Sequence, residues 1–379
     1  MNRQMTHPRI SDLRLRAKAR IPHFVWEFLD SSTGTEATQS RNRVKLDELL
    51  FRPAVLKGAF QPDFSTRFLG RTYPLPLGIA PVGMSGLIWP RAEVLLAQHA
   101  ASAGIPYTLS TVASRTPEEV GPSAGDQGWF QLYPPGEASV RRDMLSRARA
   151  AGFHTLVMTV DIPAPSRRER QLKGGLTQPA RMTPRIIAQA LTCPRWSIGM
   201  LRAGLPRLKF IESYTSNRDT LPSNAHIGYQ LRVAPDWDYL RALRDDWQGP
   251  LIIKGILDPK DASRMEGLGI DAIWVSNHAG RQFDAAPATV EVLPQIRAAT
   301  NLPLIFDGGV ETGLDVMRAM ALGADFTMMG RGWHYALAAF GAPGLQHAQD
   351  IIAADMAANM AQIGAASLSD LKAALYHAS

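Results

Sequence analysis

The sequence predicts an α/β fold, a (β/α)8 TIM barrel with an N-terminal helical extension and a long basic insertion after the fourth strand. Three observations predict it. Eight short apolar runs recur along the chain, mostly followed by helix-like patterns; seven of them end in residues able to do chemistry; and one connection, from about Ile162 to Leu231, is far longer than the rest. Near-continuous apolar runs alternating with amphipathic helices mark parallel strands buried on both faces. Eight such units closing on themselves make a barrel, with the active site at the carboxyl ends of the strands. An open doubly wound sheet is the competing arrangement, but no GxGxxG follows any run, so the dinucleotide fingerprint is missing.

The runs are Leu77–Pro81, Pro106–Ser110, Trp129–Tyr133, Thr155–Asp161, Leu251–Gly255, Ala272–His278, Leu304–Gly308 and Phe326–Arg331. Helix-like segments lie between them at Arg91–Ala103, Ala138–Ala151, Asp258–Gly267, Thr289–Ala299 and Gly313–Leu322. We read residues 1–379 as one barrel domain. Residues 1–70 form an extension with a helix near Phe24–Asp30, and 162–231 form an insertion or lid, since connections are ordinarily two to six residues.

Composition removes several function classes. The single cysteine, Cys193, excludes a disulfide framework and any multi-cysteine metal or iron–sulfur site, and no metal centre is expected. The basic start, Met1 to Arg20, has no apolar core of signal-peptide length. No apolar run approaches the ~18 residues of a membrane span. A cytoplasmic location is the simplest expectation. The net charge of +7 is local: between Ala164 and Thr220 stand eleven Lys/Arg against three acids, which leaves 30 basic and 31 acidic residues elsewhere. That argues against a nucleic-acid binder.

The chemistry concentrates at the strand ends. Ser276-Asn277-His278-Ala279-Gly280-Arg281-Gln282 places a base that titrates near neutrality beside a permanent anion-binding fork. Asp161, ending the fourth run, is placed to orient His278 and stabilise the imidazolium formed on proton abstraction. Arg281 and Arg168 are candidates to grip a substrate carboxylate. The ends of the last two runs, Asp307-Gly308-Gly309 and Gly330-Arg331, suit a phosphate held by backbone N–H groups and a guanidinium. Lys254, at the end of the fifth run, is either a Schiff-base nucleophile or a cation held against an electron-rich ring. Both readings stay open from the residues alone.

SNHAGRQ, with KGI at strand five, DGG at strand seven and GRG at strand eight, resembles the FMN-dependent 2-hydroxy acid dehydrogenases and oxidases. PVGM (Pro81–Met84), TLST (Thr108–Thr111), WFQLY (Trp129–Tyr133) and TVD followed by RRER (Arg167–Arg170) match in order and spacing, so the likeness spans about Ile21 to Leu371. The resemblance implies FMN as cofactor and His278 as active-site base, with Asp161 as its partner and Tyr133 near the substrate hydroxyl. It implies Arg281 and Arg168 on the carboxylate. It sets Pro81, Val82, Gly83, Ser110, Gln131, Thr159, Lys254 and Ser276 around the flavin ring and ribityl chain, and Asp307, Gly308, Gly309, Gly330 and Arg331 at the ribityl and phosphate end.

Three positions depart from the family. Phe28 stands where a tyrosine ordinarily shares the substrate carboxylate, a loss of roughly 1.5–3 kcal/mol for one charge-assisted hydrogen bond. Glu311 stands where an arginine ordinarily meets the phosphate, and Val112 where glycolate oxidase has tryptophan. Gly83, where oxidases of the family often carry alanine, leans towards a dehydrogenase. The expected reaction is oxidation of an (S)-2-hydroxy carboxylic acid to the 2-oxo acid, with electrons passed to a quinone or another acceptor. The competing readings are an O2-using oxidase, a Lys254 aldolase, and a catalytically impaired membrane-associated binding protein. Clustered basic charge with interleaved apolar residues and Trp196 in the insertion resembles that of mandelate dehydrogenase. It suits an anionic membrane surface on the inner face of the cell membrane, through residues 164–220. The family suggests a homo-oligomer, a tetramer.

Overall fold

The computed structural model describes residues 3–176, 183–214 and 231–376. Eight parallel strands close into a barrel: β1 (Leu77–Ile79), β2 (Tyr107–Ser110), β3 (Gly128–Leu132), β4 (Thr155–Thr159), β5 (Leu251–Ile256), β6 (Ala272–Val275), β7 (Leu304–Phe306) and β8 (Phe326–Met329). Each pairs with the next, and β8 pairs with β1. The open sheet is thereby excluded. β1, β4, β6, β7 and β8 stop two or three residues before the ends of their apolar runs, whose last residues leave the ladder at the mouth.

The strands are apolar throughout because they bury both faces. Inward, Trp129, Val157, Ile252, Trp274, Ile305, Phe326 and Met328 form one cluster filling the barrel. Outward, Phe130, Leu156, Ile253, Ile273 and Phe306 join the larger core beneath the helices. A hairpin of Thr66–Phe68 and Arg71–Tyr73, unforeseen from the sequence, plugs the amino-terminal end. Phe68 and Tyr73 each pack on Phe326 with ring centroids 5.2 Å apart.

After a single turn at Arg3–Thr6, three longer helices precede the barrel. In α1 (Ile10–Lys18), Ile10, Leu13 and Ala17 make one buried stripe, and the Asp12 carboxylate accepts the Arg9 N–H at 3.0 Å to close the first turn. The helix α2 (His23–Asp30) starts after Pro22 and is buried nearly all round. The helix α3 (Ala37–Asp47) brings Asn42 to the carboxyl end of β6. Within the insertion, Thr183 caps α4 (Pro184–Leu191) and Pro194 opens α5 (Pro194–Ala203). Residues 177–182 and 215–230 lie outside the described residues, and with them Arg181 and Arg218 of the basic tally. Trp196 corrects one expectation. It does not face outward: it is buried edge-on to Phe24 and donates its Nε1–H to the Leu87 carbonyl at 3.0 Å. Among the described residues of this region, the exposed large apolar side chains are Leu172, Ile187, Leu191, Ile198, Leu201 and Leu205.

Of the βα helices, α6 (Gly313–Ala321) follows β7 and α7 (Arg331–Phe340) follows β8. The long Ala342–Ile363 helix then packs across both. No helix among the described residues is long and apolar enough to cross a membrane.

The plug yields a first test. Phe68→Ala empties the bottom of the barrel and is expected to cost about 3–5 kcal/mol, read as a lower urea midpoint. An unchanged midpoint would show that the hairpin does not close the inner core.

Candidate active site

A cavity of about 920 Å³ opens at the carboxyl ends of the strands. Its wall includes Phe28, Pro81, Val82, Gly83, Tyr133, Arg168, Lys254, His278, Arg281, Asp307, Gly308, Gly309, Gly330 and Arg331. Asp161, Ser110, Gln131, Thr159 and Ser276 stand behind that wall, at the ends of β4, β2, β3 and β6. The site residues expected from sequence thus collect at one mouth. The insertion contributes Ile187, Leu191, Leu201 and Leu205, so part of the rim is apolar and exposed.

At the centre, His278 Nδ1 lies 3.1 Å from both oxygens of Asp161, which leaves Nε2 for the cavity. His278 is held in the left-handed region (φ +53°), as are Ala279 and Gly280, a conformation costing of order 1–3 kcal/mol for a non-glycine residue. Its N–H donates to Ser276 Oγ at 3.1 Å, which helps hold the turn. Burial pushes the imidazole below its ordinary pKa although Asp161 raises it, and Lys254 and Arg168 push the same way as burial. Burial also raises Asp161, but His278 and Lys254 outweigh it and hold the carboxyl low. At neutral pH the couple is a neutral imidazole on an ionised carboxylate.

The KGI motif acquires a reason here. Gly255 has φ +109°, and the β5–β6 register shifts beside it. A Cβ at this position would lie 2.5 Å from Asp161 Cβ. Only glycine leaves room for the carboxylate that orients His278.

Lys254 Nζ donates to Ser276 Oγ at 2.7 Å and pairs with Asp307 Oδ2 at 3.2 Å. An ammonium engaged in this way suits a fixed cation rather than a Schiff-base nucleophile. Three buried polar atoms nearby have no protein partner: Gln131 Nε2, Thr159 Oγ1 and Asp307 Oδ1. Buried groups without partners call for a ligand, and one donor, one hydroxyl and one acceptor match the mixed polar edge of a flavin ring. The residues present therefore fit FMN.

Arg281 is the other fixed group. Its Nη1 donates to the carbonyls of Ser31 (2.7 Å) and Leu29 (3.3 Å), and its Nη2 to that of Phe28 (2.9 Å). These carbonyls end α2, where the helix is negative. The Nε–H edge has no acceptor among the described residues, so it can meet a carboxylate side-on. Burial lowers the guanidinium's pKa well below its ordinary value, with Arg168 and Arg331 adding to the effect. Three cations without a matching anion favour an anionic ligand. The side chain of Phe28 offers Arg281 only its ring, 5.9 Å from the guanidinium carbon.

Sequence reasoning missed two supports. Asp30 is buried and accepts from Arg14 (2.7 and 3.0 Å), Arg170 (3.1 Å) and Tyr335 (2.9 Å). Burial raises its pKa, but Arg14, Tyr335 and Arg170 together hold it below the usual carboxylate range. The available signal was an acid in the last turn of an apolar helix, unfavourable unless paired. Asn42 and Asn277 exchange side-chain hydrogen bonds of 2.7 and 3.0 Å, tying α3 to the His278 turn. No local pattern announces such a pair.

Comparison with known proteins agrees with this architecture. The family model described as FMN-dependent dehydrogenase matches residues 17–378. The L-lactate dehydrogenase of Xanthobacter autotrophicus is 39% identical over 365 residues, 95% of this chain and 94% of that protein. That of Ectopseudomonas mendocina is also 39% identical, over 95% and 96%. Among solved structures, the monotopic membrane protein (S)-mandelate dehydrogenase superposes with a TM-score of 0.92 at 32% identity, over 98% of this chain and 99% of that one. A mandelate oxidase gives 0.81 at 29% identity, over 98% of each chain.

Gly255→Ala is expected to displace Asp161 and remove the anion that raises the His278 pKa. The imidazole titration, followed by NMR, should then move to lower pH, as in Asp161→Asn. A titration that stays in place would contradict the described packing.

Proposed function

Because the chain belongs to the FMN-dependent dehydrogenase family, we propose that it oxidises an (S)-2-hydroxy carboxylic acid, lactate- or mandelate-like, to the 2-oxo acid. The observation carrying this reading is the His278–Asp161 couple facing Arg281 across one cavity. In this reading Arg281, aided by Arg168, binds the substrate carboxylate through its remaining edge. Tyr133 lies beside the substrate hydroxyl. His278 Nε2 takes the hydroxyl proton, and Asp161 stabilises the imidazolium that results. FMN, when bound, supplies the two-electron acceptor. Gln131, Thr159, Ser110 and the Pro81–Gly83 segment hold its ring, while Lys254 sets a positive charge near the ring's polar edge. Asp307, Gly308, Gly309, Gly330 and Arg331 hold the ribityl and phosphate end.

A dehydrogenase with a quinone or similar acceptor is favoured over an O2-using oxidase by two features. A Cβ on Gly83 would lie 2.7 Å from Val112 Cγ2, so the alanine frequent in family oxidases does not fit without a shift. The exposed Ile187, Leu191, Leu201 and Leu205 line the same cavity, and Arg185, Arg195 and Arg202 lie on the same two helices. Apolar residues among cations suit peripheral contact with an anionic membrane, which would bring a lipid-soluble acceptor to the mouth. Homo-oligomerisation belongs to the same reading.

The test is anaerobic bleaching of the flavin by a panel of lactate, glycolate, mandelate and longer 2-hydroxy acids. At least one should bleach it, and His278→Ala should slow bleaching by roughly 10²–10⁴. With the imidazole held low, kcat/KM should stay on its plateau through neutrality and fall only as pH drops below the ordinary histidine range near 6.5. Parental bleaching by His278→Ala would overturn the assignment.

A further inference from the structure

In this barrel the loops after β7 and β8 face the phosphate end of the cavity, and their two sides differ. On the β8 side, α7 begins at Arg331, and its Gly330 N-cap offers no side-chain cap. Gly330, Arg331 and Gly332 line the cavity. An uncapped helix N-terminus beside a guanidinium is an anion site.

On the β7 side most donors in the first turn of α6 are taken up within the protein, while Gly308 and Gly309 line the cavity. The N–H groups of Glu311 and Thr312 donate to Asp315 Oδ2 at 3.1 and 2.9 Å, that of Leu314 to Asp355 at 3.0 Å, and that of Asp315 to Thr312 Oγ1 at 3.1 Å. Asp315 is itself neutralised by Arg43 (2.6 Å) and Arg318 (3.0 Å). The α6 terminus is therefore already occupied by a carboxylate. Glu311 lies on the cavity wall, half-buried, and among the described residues its carboxylate accepts no hydrogen bond and makes no ion pair.

We propose that Glu311 sets a deliberately weak grip on the cofactor: the FMN phosphate is held by the α7 N-terminus and Arg331, together with the Gly308–Gly309 backbone, against the charge of Glu311. The chain then binds FMN as an exchangeable cofactor, its occupancy following the free FMN concentration. This rests on FMN being the ligand of the cavity and on nothing about the hydroxy acid oxidised.

A tenfold change in dissociation constant is about 1.4 kcal/mol at 25 °C, within the reach of two like charges in a partly screened site. FMN release on dilution of the holoenzyme, followed by recovery of flavin fluorescence, gives the dissociation constant for wild type, Glu311→Gln and Glu311→Arg. Riboflavin, which lacks the phosphate, is titrated into the same three proteins after FMN removal. Glu311→Arg should bind FMN at least about tenfold more tightly, Glu311→Gln should fall between, and riboflavin should bind all three alike. Equal FMN affinity in the three proteins overturns the proposal, and so does a riboflavin shift as large as that of FMN, which would mean the substitution acts on the ring site. A wild type that takes up neither flavin would instead overturn the cofactor itself.

Discussion

The carboxyl terminus of α2 is the constraint on which the mouth of this barrel depends. Arg281, Arg168 and Arg331 would repel one another unless each were fixed, and two of them are fixed by main-chain carbonyls there. Arg281 donates to the carbonyls of residues 28, 29 and 31, and Arg331 to that of Asp30 at 3.2 Å. Those carbonyls are aimed because Asp30 is clamped by Arg14, Arg170 and Tyr335. An acid at the negative end of a helix is destabilising alone; enclosed by two guanidiniums and a phenol it becomes an anchor.

The barrel strands were legible because burial on both faces makes a strand read as a continuous apolar run. Trp129 and Phe130, or Trp274 and Val275, point to opposite clusters, so nothing polar interrupts them. The mouth was legible for a related reason: Lys254, Ser276 and Asp307 each end a stretch that is apolar up to that residue. What was not legible acts at long range. The Thr66–Tyr73 hairpin looks like any short exposed turn until Phe68 and Tyr73 are seen under the barrel floor. Asn42 sits in a polar helix, and only its partner 235 positions away gives it a role. Trp196 read as a surface residue because its neighbours are basic, whereas its carbonyl partner belongs to Leu87.

Precision at the centre is obtained from backbone geometry as much as from side chains. Three consecutive left-handed residues, His278 to Gly280, swing the imidazole over the end of β6. A Cβ on Gly280 would lie 2.8 Å from the Gln39 backbone N, so α3 packs directly on that turn. Gly255 does the same for Asp161 from the neighbouring strand. His278 and Asp161 are therefore placed by two glycines, neither of which lines the cavity.

The partners that clamp Asp30 enter the chain at positions 14, 170 and 335, the last of them 305 residues beyond Asp30. Arg14 and Arg170 are already present when residue 335 is added, but the phenol that completes the clamp comes only from α7. The carbonyls that hold Arg281 thus take their last support from a segment near the end of the chain.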